Sequence, residues 1–227
     1  MCYFIGCIFL LYLDEINERT DTMNRRGLLM GTEGVLCETA SLHKMSWERV
    51  MSNNSIDPAC LTRLDFSSLS REQAMSSIMV LSGLELSASE CKILTDEENM
   101  YYRQLLADLG PDSVLPGVRS LLHKLRHNEF RLCVVTSSKN AMLILRKLNL
   151  TDEIDAICDG YDWSSCAFRD GLYHHACSLI DTPQECVTVW DNIAVKRQAA
   201  RQEGFPVISG NTAQVEAILL SGSLDFS

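Results

Sequence analysis

The sequence is short of basic residues, of paired cysteine motifs and of long apolar segments. Lys and Arg number 20 against 30 Asp and Glu, which gives a formal charge of -10 at neutral pH. This surplus of negative charge repels phosphate backbones and anionic lipid surfaces, so we expect neither nucleic acid nor a membrane as a partner. The 227 residues, 46% of them hydrophobic, are enough for a globular protein with one core domain and a smaller companion.

The ten cysteines are scattered along the chain, and none belongs to a Cys-x-x-Cys pair. This pattern favours reduced thiols and a cytoplasmic protein over a disulfide framework. The densest group consists of Cys166, His174, His175 and Cys177. Its spacing matches no standard zinc module, so we interpret these cysteines as ordinary thiols.

The apolar segment at the amino terminus, residues 2–13, has only about half of the ~20 residues that a membrane-spanning helix needs. No basic residue precedes it and no small-residue cleavage site follows it, so it does not match a secretory signal. A domain begins naturally at Met23, just before the first apolar strand. We therefore expect residues 1–22 to be an appended extension.

Short apolar, β-branched runs alternate with amphipathic helical segments through most of the chain. The runs lie at residues 27–30, in 131–140, where the run ends in hydroxyl residues, at 155–160, at the start of 185–204, and at 205–209. Continuous apolar strands between helices indicate a parallel sheet that is covered on both faces. The fold class predicted is α/β, with a Rossmann-like parallel sheet as the core.

Residues 41–115 differ from this pattern, because their apolar residues recur at helical spacing with almost no strand signal. Ser41 and either Ser87 or Ser89 are the expected caps of the first and last helices. We predict a helical cap domain at 41–115, inserted after the first strand, and a core domain formed by 23–40 and 116–227.

The chain resembles the haloacid dehalogenase superfamily of phosphotransferases, and within it beta-phosphoglucomutase and related sugar-phosphate phosphatases. The resemblance extends from Gly27 to about Ile208. The motifs that carry it are "EGVLCETASLH" at 33–43, Trp47, "SRE" at 70–72, "LPGV" at 115–118, "TSSKN" at 136–140, "NLTDEIDAI" at 149–157 and "VWDN" at 189–192.

In that family the first strand ends in Asp-x-Asp-Gly. The resemblance implies that the first Asp attacks phosphorus and that the second transfers the proton of the sugar hydroxyl. Matching Gly34-Val35 to the family pattern places Gly31 at the nucleophile and Glu33 at the acid/base. Glycine has no side chain to attack with, whereas Glu33 keeps a carboxyl group on a stem one methylene longer.

The other catalytic motifs of the family are only partly present. Thr136 matches the hydroxyl residue that binds the transferring phosphoryl group. The family's lysine falls on Cys166, and Arg169 replaces it only if the loop shifts. The acidic pair that helps hold Mg2+ falls on Trp190-Asp191, which leaves Asp191 as a weak metal ligand. The resemblance implies Mg2+ as cofactor, and the loss of two carboxylates predicts that binding is severely weakened.

The positions that hold a second, non-transferring phosphate match better. The resemblance assigns this grip to Arg71, Ser138, Lys139 and Asn140. It also assigns Thr39 and His43 to the cap hinge and Asn99 to the ligand side of the last cap helix. Glu98 replaces a ligand-contacting lysine of the family, which places a repulsive charge near a phosphosugar.

Three hypotheses of different classes follow. The chain binds a phosphorylated sugar or a similar metabolite without turnover. Alternatively, it is a working phosphatase or phosphoglucomutase that uses Glu33 or a displaced carboxylate. The third reading is a non-catalytic scaffold or interaction protein. For all three we expect a monomer.

Overall fold

The computed structural model describes residues 25–164 and 171–221. The expected extension at 1–22, together with Cys166 and Arg169, lies outside these residues. Five parallel strands form the sheet: β1 Gly27–Met30, β2 Arg131–Val135, β3 Ala156–Cys158, β4 Val187–Trp190 and β5 Val207–Ile208. Their spatial order is β3-β2-β1-β4-β5, so β1 lies at the centre. The predicted parallel α/β sheet is confirmed.

Nine α-helices surround and extend the sheet in the described residues. They are α1 Ala40–Asn53, α2 Arg71–Ser82, α3 Ala88–Leu105, α4 Val118–His127, α5 Ala141–Leu148, α6 Gly160–Ser164, α7 Leu172–Leu179, α8 Ala194–Gln202 and α9 Thr212–Leu220. Short 3-10 helices lie at Pro58–Arg63, Leu106–Asp108, Pro111–Ser113, Thr151–Glu153 and Gln184–Cys186. None of these helices has the length and apolar character needed to span a membrane.

The strands are buried on both faces because their side chains alternate between two cores. In β1, Leu28 and Met30 belong to one core and Leu29 to the other. The first core packs against α4, α5 and α9, and the second packs against α7 and α8. This alternation is why the strands are continuous apolar runs in the sequence.

Helices α1 to α3 lie between β1 and β2 in the chain and enclose a third apolar cluster, which contains Trp47, Met51, Met75 and Ile78. Helices α1 and α3 differ in whether a side chain caps their first turn. Ser87 caps α3 through a reciprocal box with Glu90, as expected. The expected cap at Ser41 is wrong, because α1 already begins at Ala40 and Thr39 has its hydroxyl engaged elsewhere.

Candidate active site

The site is assembled at the carboxyl ends of three neighbouring strands. Gly31 follows β1, Thr136 follows β2 and Asp191 follows β4. The Gly31 N–H donates to the Trp190 carbonyl at 3.0 Å, and the hydroxyls of Thr32 and Thr136 share a buried hydrogen bond of 3.1 Å. Parallel strands bring residues far apart in sequence to one edge, which is where open α/β sheets bind ligands.

Asp191 occupies the space that a side chain at position 31 needs. A Cβ added to Gly31 would lie 3.0 Å from the Asp191 Cγ and closer still to its Oδ2. The Asp191 carboxylate is 2% exposed, and its Oδ1 accepts a 2.7 Å hydrogen bond from the Ile193 N–H. Burial raises the pKa of Asp191, although the nearby Lys196 charge opposes this rise. The position that the resemblance assigns to the nucleophile therefore has no reactive side chain, and the Asp191 carboxylate fills the space beside it.

The expected Mg2+ site fits this arrangement poorly. In the described part of the chain, no group of three His, Cys, Asp or Glu side chains able to share a cation includes Asp191. The neighbouring Trp190, at the first position of the family's acidic pair, is 1% exposed and donates its indole N–H to the Gly210 carbonyl. One buried carboxylate beside an indole is not the oxygen-rich ligand set that Mg2+ requires.

Glu33 is positioned by the hinge residue Thr39. Its Oε2 accepts hydrogen bonds from the Thr39 N–H at 2.7 Å and from the Thr39 hydroxyl at 3.0 Å. The positive φ of Gly34, +68°, forms the turn between the two residues. Glu33, Thr39 and His43 all line one small cavity, so the expected acid/base carboxyl lies at that cavity without a nucleophile beside it.

Thr136 begins a hydrogen-bonded turn at the start of α5. Its Oγ1 accepts from the Ser138 N–H at 3.3 Å, and the Ser138 hydroxyl accepts from the Asn140 N–H at 3.2 Å. The N–H groups of Ser138 and Asn140 are therefore bonded within the turn. The turn lies where the resemblance predicts a phosphate-binding strand-to-helix junction.

The cations expected to grip the distal phosphate are paired with carboxylates of the cap helices. Arg71 Nε donates to Glu98 Oε2 at 2.5 Å, and His43 Nδ1 donates to Glu98 Oε1 at 2.8 Å. Glu98 is fully buried, and the His43 ring stacks on Tyr102 at 3.7 Å. Glu98 therefore takes the place of an anionic ligand on Arg71.

Lys139 is paired in the same way, but at the surface. Its Nζ donates to Glu72 Oε1 at 2.8 Å, and the Glu72 side chain is 58% exposed. Burial acts to raise the pKa of Glu72, but the hydrogen bond and charge of Lys139, a backbone hydrogen bond and the charge of Arg71 together hold that pKa below its usual value. Asn140 donates to Asn99 at 3.0 Å, and Arg71 donates to the same Asn99 oxygen at 2.8 Å. The sequence match predicted that Arg71, Lys139 and Asn140 lie at one binding position. It did not predict that the two cations form ion pairs with Glu98 and Glu72.

Two cavities lie next to the ion pairs of Arg71 and Lys139. The smaller one, of about 40 Å³, is lined by Thr32, Glu33, Thr136 and Ser138 among others. This is room for a few waters or one phosphate group. A groove of about 770 Å³ lies between α2, α3 and α5, a size typical of small-molecule sites. Arg71, Glu72 and Lys139 line both, so their ion pairs separate the cavity from the groove.

Lys196 is a cavity residue that the sequence analysis missed. It lies in the first turn of α8, lines the smaller cavity and is close enough to Asp191 for its charge to oppose the rise that burial causes in the pKa of that carboxyl. Its position soon after "VWDN" was the available signal. Lys196 brings a positive charge to a site whose expected lysine position is Cys166.

Comparison with known proteins identifies relatives that share this fold. No family model matches the chain. The beta-phosphoglucomutase of Bacillus subtilis (strain 168) is 28% identical over 171 residues, which cover 73% of this chain and 75% of that enzyme. The structure of beta-phosphoglucomutase from Clostridium difficile superimposes with a TM-score of 0.72 at 20% identity, covering 85% of this chain and 87% of the other. CbbY from Rhodobacter sphaeroides, in complex with xylulose-1,5-bisphosphate, gives 0.66 at 17% identity, with 83% and 88% covered.

Proposed function

The chain belongs to the haloacid dehalogenase superfamily, in its beta-phosphoglucomutase-like branch, and from that premise we propose that it binds a phosphorylated sugar or a similar metabolite without transferring the phosphoryl group. The observation that carries the proposal is the Asp191 carboxylate in the space next to Gly31. A covalent phosphoryl intermediate needs a nucleophile at that point, and none is present there. Glu33 retains a carboxyl group for proton transfer, but no nucleophilic side chain lies at position 31 to begin the reaction.

Ligand binding is supported by the residues that remain. Thr136, Ser138 and Lys139 line the cavity with Lys196, which offers hydroxyl, N–H and ammonium donors to a phosphate group. The adjoining groove has room for a sugar. We propose that an incoming phosphate replaces Glu72 on Lys139, because that pair is the more exposed of the two.

A second candidate function is a non-catalytic scaffold. The ion pairs favour it, because Lys139 and Glu72 join the core turn to a cap helix without a ligand, while Arg71 and Glu98 join two cap helices to each other. We propose a cytoplasmic monomer in either case. The seven described cysteines form no disulfide, which agrees with a reducing compartment.

We expect no phosphate release when the purified full-length protein is incubated with Mg2+ and a panel of hexose, pentose and aryl phosphates. Losing the nucleophile of a covalent mechanism typically lowers turnover by many orders of magnitude. Glu33→Gln should leave the background rate unchanged. Mg2+-dependent turnover that Glu33→Gln abolishes would show that the active-enzyme hypothesis is correct.

We expect hexose phosphates, but not the corresponding free hexoses, to raise the melting temperature. Lys139→Ala should lower the phosphate affinity roughly tenfold to a hundredfold, because a charged hydrogen bond contributes roughly 1.5–3 kcal/mol. Glu72→Gln should raise the affinity, since it removes the competing carboxylate. Lys147→Ala is the matched control, because Lys147 lies in the helix that follows Lys139 and is bonded to the Ala107 carbonyl. Absence of any shift at millimolar ligand would favour the scaffold.

A further inference from the structure

A second group of ligand-type side chains lies outside the cap-facing site. It consists of Cys158 at the end of β3, Asp162 in α6 and His175 in α7. One ligand atom from each lies within 4.8 Å of the others, and His175 Nε2 is 3.9 Å from Asp162 Oδ1. From this geometry we propose that Cys158, Asp162 and His175 form a binding site for a zinc-type divalent cation.

The chemistry of the donor set selects the metal. A thiolate, an imidazole and a carboxylate are the ligands of Zn2+, whereas Mg2+ and Ca2+ require oxygen ligands. Zinc bonds of about 2.0–2.3 Å in tetrahedral geometry place ligand atoms roughly 3.3–3.8 Å apart. The spacing found here needs only small side-chain movements to reach that range. Three protein ligands leave a fourth position for water or another small ligand.

The surroundings fix two of the three ligands. The Cys158 carbonyl accepts a 2.9 Å hydrogen bond from the Thr136 N–H, which anchors the end of β3 to the core turn. Asp162 Oδ2 accepts a 2.8 Å hydrogen bond from the Asp159 N–H, which orients the carboxylate. Cys158 is buried, while the side chains of Asp162 and His175 are 35% and 25% exposed. A cation therefore reaches the thiol from the side of these two residues.

Neighbouring residues of the same types are arranged differently and serve as controls. The His174 ring lies 3.3 Å from Glu203 Oε2 and 2.9 Å from Gln184 Oε1, so it is engaged away from the group. Burial, followed by the charge of Glu203, raises the pKa of the Cys177 thiol to about 12. Among the described residues, the fold groups His175 with Cys158 and Asp162, and not with His174 or Cys177.

The test is a Co2+ titration of the full-length protein, purified without a polyhistidine tag and stripped with a chelator. We expect a thiolate-to-cobalt charge-transfer absorption that saturates at one equivalent and that Zn2+ displaces, while millimolar Mg2+ leaves it unchanged. Cys158→Ser should abolish the absorption. His175→Gln should weaken metal affinity by at least about tenfold. His174→Gln and Cys177→Ser should behave as the unmodified protein.

A second readout covers the case in which Cys158→Ser fails to fold. Zn2+ should raise the melting temperature of the unmodified protein and much less that of His175→Gln, which alters a partly exposed side chain. A chelator should reverse the effect. The proposal is overturned if the unmodified protein shows no thiolate absorption, if Cys158→Ser retains it, or if Zn2+ stabilises His175→Gln as much as the unmodified protein.

Discussion

Gly31→Ala is expected to lower the free energy of unfolding by about 1–3 kcal/mol, the usual cost of forcing extra volume into a packed site. The added methyl group would contact the buried Asp191 carboxylate, whose Oδ1 is bonded to the Ile193 N–H. The carboxylate must move or the strands must separate. Equilibrium urea unfolding, followed by circular dichroism, measures the change.

A double-mutant cycle identifies Asp191 as the cause. Asp191→Ala removes the obstructing carboxylate, so Gly31→Ala should cost about 1–2 kcal/mol less in that background than in the unmodified protein. Gly110→Ala is the matched control, because a Cβ there meets nothing within 4 Å. It should be neutral or slightly stabilising and additive with Asp191→Ala. Additivity of Gly31→Ala with Asp191→Ala would mean that the carboxylate does not fill the nucleophile position.

Arg71→Ala is expected to destabilise the protein by about 3–5 kcal/mol, because it leaves the fully buried Glu98 without its arginine. His43 would be the only remaining side-chain donor to Glu98 among the described contacts. By contrast, Lys139→Ala removes a partner of the exposed Glu72 and should cost less than about 1 kcal/mol. Urea unfolding of the two variants compares a buried ion pair with a surface one.

Removing both members of the buried pair gives the decisive control. Arg71→Leu combined with Glu98→Leu should be more stable than Arg71→Ala alone, since no buried charge is left uncompensated. If Arg71→Ala costs no more than Lys139→Ala, the buried Arg71–Glu98 pair contributes no more to stability than the surface pair. A large cost would also mean that Arg71→Ala is a poor test of ligand binding, because it unfolds the binding surface.

Much of the fold could be predicted because its signals are local. Each buried strand is a short apolar run, and each Gly or hydroxyl residue that ends a strand lies next to it in sequence. Burial of β1 on both faces makes Leu28, Leu29 and Met30 all apolar, which identifies a central parallel strand without any tertiary information. The start of α1 could not be predicted as well, because the Thr39 side chain bonds to Glu33 instead of capping the helix.

The same distinction between local and distant signals applies to the candidate site. The sequence, matched to the family it resembles, was enough to place a glycine at the nucleophile position, to match Thr136 and the following turn to a phosphate-binding junction, and to find Glu98 in place of a lysine. Only the tertiary structure decided what these residues do to one another. Arg71 and Glu98 are 27 residues apart and Lys139 and Glu72 are 67 apart, so no local pattern shows that each cation is neutralised.

The same reason explains the two findings that most change the interpretation of this protein. The Asp191 carboxylate occupies the space beside Gly31 because β4 is the immediate neighbour of β1 in the sheet. Cys158, Asp162 and His175 come together because α6 and α7 bring their side chains to the end of β3. The amino-acid sequence specifies which side chains are present. The packing of strands and helices decides which of them form ion pairs, which compete for the same space and which form the proposed cation site.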